Sequence, residues 1–476
     1  MQKKSIKKNY FYNLFYQILL LITPLITTPY VSRILGADGI GTVSFIESVA
    51  SYFVLFAVMG ITTYGQREIS YVQDSKEKRS EVFWNTKILE FWTSGVILIA
   101  YLIFTTLQEN RVFYYMYAFQ IVAIFYDVTW FFQGLEDFGK IVLRNAFFKI
   151  MNIIYIFTVV RNKESLIWYV FGLSFFTFIG NISLWFYLPR YIDRPKLNEL
   201  HPFKNIKTVL QLFVPTIAIQ VYTVLDKTMI GVITKDTFEN GYYEQALKIS
   251  KMVLMVVTAL GTVMIPRIGY HFKRGNEEEV KRLMYRGYRF VWMLGVPLCV
   301  GLIMVSSNFV PWFFGDGYDR VADILAISSF LILAIGINNV TGMQYLIPTG
   351  RQNMFTLTVI IGAIVNFCLN MVLIRSWGAE GAAVASVAAE TTIAIVQIIF
   401  VRKELSPLRI VQESLHYVIA GMCMGAVLYY MRDYFDSSII NTIILVIIGA
   451  SAYGAVLLIE RDEFLLSNIK MMTNKI

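Results

Sequence analysis

Long apolar runs separated by short polar breaks recur from one end of this chain to the other, and that recurrence limits its fold more than any other feature. Runs fall at about 9–31, 40–63, 84–106, 112–134, 141–160, 165–188, 208–232, 241–265, 284–306, 322–347, 353–374, 379–401, 409–431 and 438–459. Each is close to the roughly 20 residues a helix needs to cross a bilayer. Barrel strands would alternate apolar and polar residues, and these runs are continuously apolar. The expected fold is an all-α polytopic membrane protein with about fourteen transmembrane helices.

Composition agrees. Hydrophobic residues make up 56% of the 476 and charged residues only 16%. A soluble chain is about 25% charged. A soluble enzyme, a disordered scaffold and a disulfide-rich secreted domain are therefore excluded. The net charge of +9 points to basic loops at a membrane face rather than to nucleic acid. Cys299, Cys368 and Cys423 lie in apolar stretches without a CxxC pair, and His201, His271 and His416 are far apart. No metal or cofactor is expected. The opening MQKKSIKKNY leads into a run too long for a signal peptide and lacking a small-residue cleavage site, so it reads as an uncleaved first span.

Loop charge orients the spans. With the N-terminus in the cytoplasm, 30 of the 42 Lys and Arg fall on inside segments, beginning with Lys3, Lys4, Lys7 and Lys8. Eight fall outside: Arg33, Arg111, Arg161, Lys163, Lys235, Arg320, Arg375 and Arg432. Lys149, Lys227, Lys248 and Lys251 lie within spans. This bias places both termini in the cytoplasm. A faint repeat accompanies it: Pro24 and Pro215 each sit in the span that opens a half, and Gly41 and Gly241 each begin the next. The basic loop at about 190–207 joins the halves, as in transporters built from repeated bundles. The expected organisation is a six-helix bundle over 1–196, a second over 197–404, and two further helices with a tail over 405–476.

The stretch Gly134-Leu-Glu-Asp-Phe-Gly139-Lys140-Ile141 resembles a phosphate-binding loop but ends in Ile where the magnesium-holding hydroxyl belongs, and no strand precedes it. No catalytic triad, HExxH or acidic cluster stands out, so a transporter is expected rather than an enzyme. The informative residues are charges within spans, because an intramembrane charge usually faces a cavity or a partner. Gln220, Thr223 and Lys227 share a face of span 7, with Asp226 beside them, and Glu244, Lys248 and Lys251 share a face of span 8. Glu244 can pair with Lys248 along its helix. In the first half, Asn13 and Gln17 share a face of span 1, Arg33 ends that span, Glu47 lies in span 2, and Asp127 lies in span 4 near Trp130 and Gln133. Arg144 and Lys149 enter span 5. The acids could hold a coupling proton or sodium ion, or balance a neighbouring cation. Gly362, Asn366 and Asn370 on span 11, and Gly381, Ala385 and Ala389 on span 12, read as packing stripes, with Glu390 the exception.

Three stretches carry a resemblance. They are PLITTPYVSRILGADGIGTVSF (Pro24–Phe45), VPTIAIQVYTVLDKTMIGVITKDTFENGYYEQALKI (Val214–Ile249), and LIPTGRQNMFTLTVIIGAIVNFCLNMVLI followed by WGAEGAAVASVAAE to Glu390. The chain resembles the bacterial polysaccharide transporter family, the Wzx-type (RfbX-like) flippases of the MATE-like multidrug/oligosaccharidyl-lipid/polysaccharide superfamily. The resemblance is weakest over the last two spans. It implies two six-helix bundles plus two helices, and alternating access around a cleft lined by spans 1, 2, 7 and 8. Its implied cargo is an undecaprenyl-pyrophosphate-linked oligosaccharide, moved from the inner to the outer leaflet of the bacterial cytoplasmic membrane. Arg33, Lys227, Lys248 and Lys251, with Gln220, are then the candidates for the pyrophosphate and sugar. Glu47, Asp127, Asp226, Glu244 and Glu390 are the candidates for ion coupling or charge balance, and a glycan polymerase is a conceivable partner. A drug/cation antiporter would need an acidic cavity, whereas spans 7 and 8 carry three lysines. A membrane glycan polymerase would need large catalytic outer loops, and the longest, about 307–321, is poor in catalytic types. A flippase for the peptidoglycan precursor shares the scaffold and is the nearest alternative.

Overall fold

A computed structural model describes residues 6–195, 200–259, 261–462 and 464–466, and among them every regular element is helical. Lys3, Lys4 and the expected boundary at 196/197 lie outside the described residues, as do the side chains of Asn13 and Pro215. The chain forms two compact units, Met1–Thr228 and Met229–Ile476.

The first unit opens with α1 (Ile6–Val58), which is two helices joined at Gly36. That residue has φ 69° and ψ 171°, a region open essentially to glycine alone. Spans expected at 9–31 and 40–63 therefore meet at a kink without a loop. Gly60, at φ 74°, ends α1, and the amphipathic α2 (Ile61–Tyr71) follows. Then come α3 (Lys76–Thr106), α4 (Arg111–Phe125), the single-turn α5 (Thr129–Gly134), α6 (Phe138–Val159), α7 (Leu166–Trp185) and α8 (Ile206–Thr234). The expected span at 112–134 is thus broken at 126–128. One apolar core gathers Ile46, Tyr101, Tyr117, Ile121 and Val170 from α1, α3, α4 and α7. Another gathers Phe83, Trp130, Phe131, Phe132 and Leu184. Thr228 joins α8 to the second half of α1 through Ser48 (3.0 Å) and Tyr52 (3.1 Å).

The second unit contains α9 (Thr237–Thr258), α10 (Gly261–Lys273), α11 (Glu277–Phe314), α12 (Asp319–Ser328) and α13 (Phe330–Asn338). A π-helical segment (Asn339–Leu346) continues α13. There follow α14 (Gln352–Val401), kinked at Gly378 (φ 56°), α15 (Pro407–Met431) and α16 (Ile439–Ile459). Small residues close the packing. A Cβ on Gly362 would lie 2.4 Å from Ile393, and one on Gly421 would lie 2.4 Å from Val296. Asn366 and Asn370 are fully buried and hydrogen-bonded to each other at 3.1 Å, as a packing stripe requires. The two final helices pack on α11, and buried Asp462 fastens them by accepting from Arg289 (3.2 Å), His416 (3.1 Å) and Tyr417 (3.1 Å).

Among the described residues, ten helical runs are long and apolar enough to cross a bilayer. Two of the ten contain the glycine kinks and so hold two expected spans each. Neither α8 nor α9 is among them; α9 carries Glu239, Glu244, Lys248 and Lys251 within 22 residues.

Candidate functional site

Within the first unit, α1, α4, α6 and α7 line a partly open cavity of about 380 Å³. Its wall is polar although the helices that build it are apolar overall. Glu47 comes from the second half of α1, and Arg144, Lys149 and Asn152 come from α6. Gln120 on α4 and Asn181 on α7 complete the polar lining. Arg144 is held in place: its Nη1 donates to Asn181 Oδ1 at 2.9 Å, and Asn181 Nδ2 donates to the Ala123 carbonyl at 2.8 Å. Gly180 leaves room for the guanidinium, since a Cβ there would stand 3.3 Å from Nη1. Tyr16 reaches the same wall and hydrogen-bonds Asn145. Amides, a carboxylate and two cations facing one void inside a membrane-type bundle give a place where a polar group escapes the hydrocarbon.

Of the residues singled out in the sequence, Glu47, Arg144 and Lys149 line this cavity. Asp127 lies in the break between α4 and α5, where its Oδ1 accepts from the Thr129 N–H (2.8 Å) and hydroxyl (2.7 Å). Glu390 accepts from the Asn338 side chain, which also donates to the Glu390 carbonyl at 3.1 Å. Arg33 is exposed, three residues before the Gly36 kink. Asp226 is buried on α8, and Gln220 and Lys227 are partly buried on the same helix. Glu244 and Lys248 are partly buried on α9, and Lys251 is exposed. The expected pyrophosphate contacts are thus divided between the units, with Arg33, Gln220 and Lys227 in the first and Lys248 and Lys251 in the second.

The loop that resembles a phosphate cradle is a structural clasp. Lys140 donates to Asp137 at 2.6 Å and to the Tyr191 hydroxyl, and its ammonium stands 4.4–5.5 Å from the rings of Phe132, Tyr187 and Tyr191. Gly134 is pressed against α2, where a Cβ would come within 2.7 Å of the Gln66 carbonyl.

Sequence reasoning missed two arrangements. Lys87 and Glu90 form a fully buried ion pair at 2.7 Å, and Lys87 also donates to the carbonyls of Asp127 (2.7 Å) and Ile124 (3.3 Å). In the second unit, Glu239 accepts from Arg320 and from the Ala379 N–H (2.7 Å), just past the Gly378 kink. The cavity amides carried a readable signal. Asn145, Lys149 and Asn152 follow the i, i+4, i+7 spacing of one helix face.

Comparison with known proteins places this geometry. The family model described as polysaccharide biosynthesis protein matches residues 6–272, and that of the lipid II flippase MurJ matches 145–449. A protein of Escherichia coli (strain K12) named "Putative O-antigen transporter" is 23% identical over 410 residues, which is 84% of this chain and 97% of that protein. Lipid II flippase MurJ of Bacillus subtilis (strain 168) is 24% identical over 44% of this chain and 41% of its own length. Among solved structures, lipid II flippase MurJ in an inward closed conformation superposes with a TM-score of 0.74 at 16% identity, over 95% of this chain and 99% of that one. An inward-facing multidrug resistance MATE family transporter of the MOP superfamily gives 0.56 at 15% identity, over 83% and 98%. Helical architecture, a polar cavity in an apolar bundle and a family model matched over more than half its length agree: this multi-pass membrane chain belongs to the polysaccharide biosynthesis protein family of flippases.

Proposed function

We propose that the protein is a flippase that carries undecaprenyl-pyrophosphate-linked oligosaccharide repeat units from the cytoplasmic to the outer leaflet of the bacterial cytoplasmic membrane, for surface polysaccharide synthesis. The observation that carries this reading is the cavity of the first unit, where apolar helices turn amides and charges onto a shared void. Sugar hydroxyls cannot cross hydrocarbon unpaired, because each costs several kcal/mol there, roughly 4–8 on the strictest scale. A polar route through the protein removes that cost while the lipid tail stays in the bilayer.

In this reading the protein works by alternating access with both termini in the cytoplasm. Arg33, Lys227, Lys248 and Lys251, helped by Gln220, meet the pyrophosphate, since charge-assisted hydrogen bonds from Lys and Arg favour phosphate. Glu47, Asp226 and Glu244 serve charge balance or hold a coupling proton or sodium ion, and a glycan polymerase receives the product. The match to the MurJ model over 145–449 favours a second reading with the same reaction and a peptidoglycan precursor as cargo.

Deleting the gene in its host tests the function and separates the cargoes. Repeat units trapped on the inner leaflet with loss of surface polysaccharide support the first reading, and trapped peptidoglycan precursor supports the second. Unchanged lipid-linked sugars overturn both. Lys248→Ala and Lys251→Ala are expected to lower export several-fold at normal membrane levels, and normal export by both would remove these lysines from the path. For the topology, Cys at Lys78 is expected to react with an impermeant reagent only after permeabilisation, and Cys at Asp316 in intact cells.

A further inference from the structure

We propose that the cavity bounded by Glu47, Gln120, Arg144, Lys149, Asn152 and Asn181 is a docking pocket for an uncharged sugar ring of the cargo's glycan, separate from the contacts that hold its pyrophosphate; this rests on the flippase reading above. The argument is chemical. About 380 Å³ lies at the small end of the roughly 300–1,000 Å³ usual for small-molecule pockets. Its wall carries both signs of charge, Arg144 and Lys149 as cations and Glu47 as a carboxylate. A pyrophosphate would meet the Glu47 carboxylate, and an organic cation would meet Arg144 and Lys149. A sugar hydroxyl both donates and accepts, so it uses both kinds of wall group without bringing a charge.

The neutral groups point the same way. Gln120, Asn145, Asn152 and Asn181 each offer an amide that donates and accepts. Among the described residues, Arg144 Nε and Asn152 Oδ1 are buried without a hydrogen-bond partner, one a donor and the other an acceptor. Atoms in that state cost free energy until a ligand or a small rotation pairs them. Phe148 and Phe176 also line the void and add the apolar aromatic surface on which the C–H side of a sugar ring can pack. No single ion accounts for this mixture of amides, charges of both signs and aromatic rings.

The test compares two probes on the full-length protein in lipid nanodiscs. One is the lipid-linked glycan that accumulates when the gene is deleted, and the other is bare undecaprenyl pyrophosphate. The wild-type protein is expected to hold the glycan-bearing lipid at least about tenfold more tightly, a difference of about 1.4 kcal/mol. Asn152→Ala and Gln120→Ala, each checked for a monodisperse fold, are expected to bring that ratio below about threefold, the loss falling on the glycan-bearing lipid. A wild-type protein without preference overturns the pocket. So does a preference that survives both substitutions, or affinities for both lipids that fall in step. All three outcomes leave the flippase reading standing if both lipids bind. If no lipid-linked glycan accumulates in the deletion strain, the flippase reading falls and the pocket with it; if it accumulates but the protein binds neither lipid, the pocket is overturned.

Discussion

In the first unit the fourth apolar run breaks at 126–128, between α4 and α5; in the second unit the corresponding run passes from α to π winding at Asn339. A break within a span frees backbone carbonyls that lipid cannot satisfy, so the protein must supply donors. The first unit answers with charge. The Lys87 ammonium reaches the carbonyls of Ile124 and Asp127, Glu90 balances it at 2.7 Å, and the Asp127 side chain turns back onto Thr129. In the second unit the side chains around the π segment are amides that bond α14 and each other: Asn338 donates to the Glu390 carbonyl of α14 at 3.1 Å, and Gln344 Nε2 donates to Asn339 Oδ1 at 3.0 Å. Each break is then covered by the short amphipathic helix that follows the unit's second span, α2 on α5 and α10 on the π segment. The two halves thus repeat in where the backbone breaks and what covers the break, while the chemistry holding each break has diverged.

That comparison can be broken, beginning with the largest effect. Lys87→Ala leaves a buried carboxylate without its cation and frees two carbonyls, so it is expected to cost about 3–5 kcal/mol. Thermal unfolding of the purified protein checks this, and the double change Lys87→Met with Glu90→Leu should recover much of the loss. An alanine variant as stable as the wild type would show that the first break does not depend on the ion pair. Asn338→Ala is the counterpart in the second unit, and losing its hydrogen bonds to Glu390 should cost less, about 1–3 kcal/mol. Equal losses at Lys87 and Asn338 would erase the distinction between charge and amide. Two glycines sharpen the same contrast. A Cβ on Gly65 would stand 2.5 Å from the buried Trp130 ring, whereas one on Gly261 would meet the Asn339 amide at 2.8 Å. A rigid indole yields less than the end of a flexible side chain. Gly65→Ala should cost about 1–3 kcal/mol and Gly261→Ala less than half as much.

Much of the architecture was legible because hydropathy and charge act along the whole chain. Helical class and the membrane-type runs both follow from hydropathy. The kinks were not legible: Gly36 and Gly378 join two helices at positive φ without the polar loop that marks a span boundary. The break at 126–128 hides inside an apolar run, and Asp127 was its one external sign. At the site, Glu47 stood out because an intramembrane charge is costly. Its neighbours Asn145 and Asn152 did not, since a neutral amide costs less than a charge and excites less notice in an apolar span. Lys87 lies near the expected start of the third span and reads as a charge at a loop end. Only the packing of α3 against the broken fourth span buries it.

The most direct test of the central claim is translocation itself. Lipid-linked glycan extracted from the deletion strain is incorporated into vesicles of phosphatidylethanolamine and phosphatidylglycerol with and without the purified protein, and an external glycosidase reports the fraction exposed. The account predicts that digestion stops near half in protein-free vesicles and runs well past half when the protein is present, with slower progress for Lys248→Ala. Digestion that halts at the same fraction with and without the active protein would contradict it.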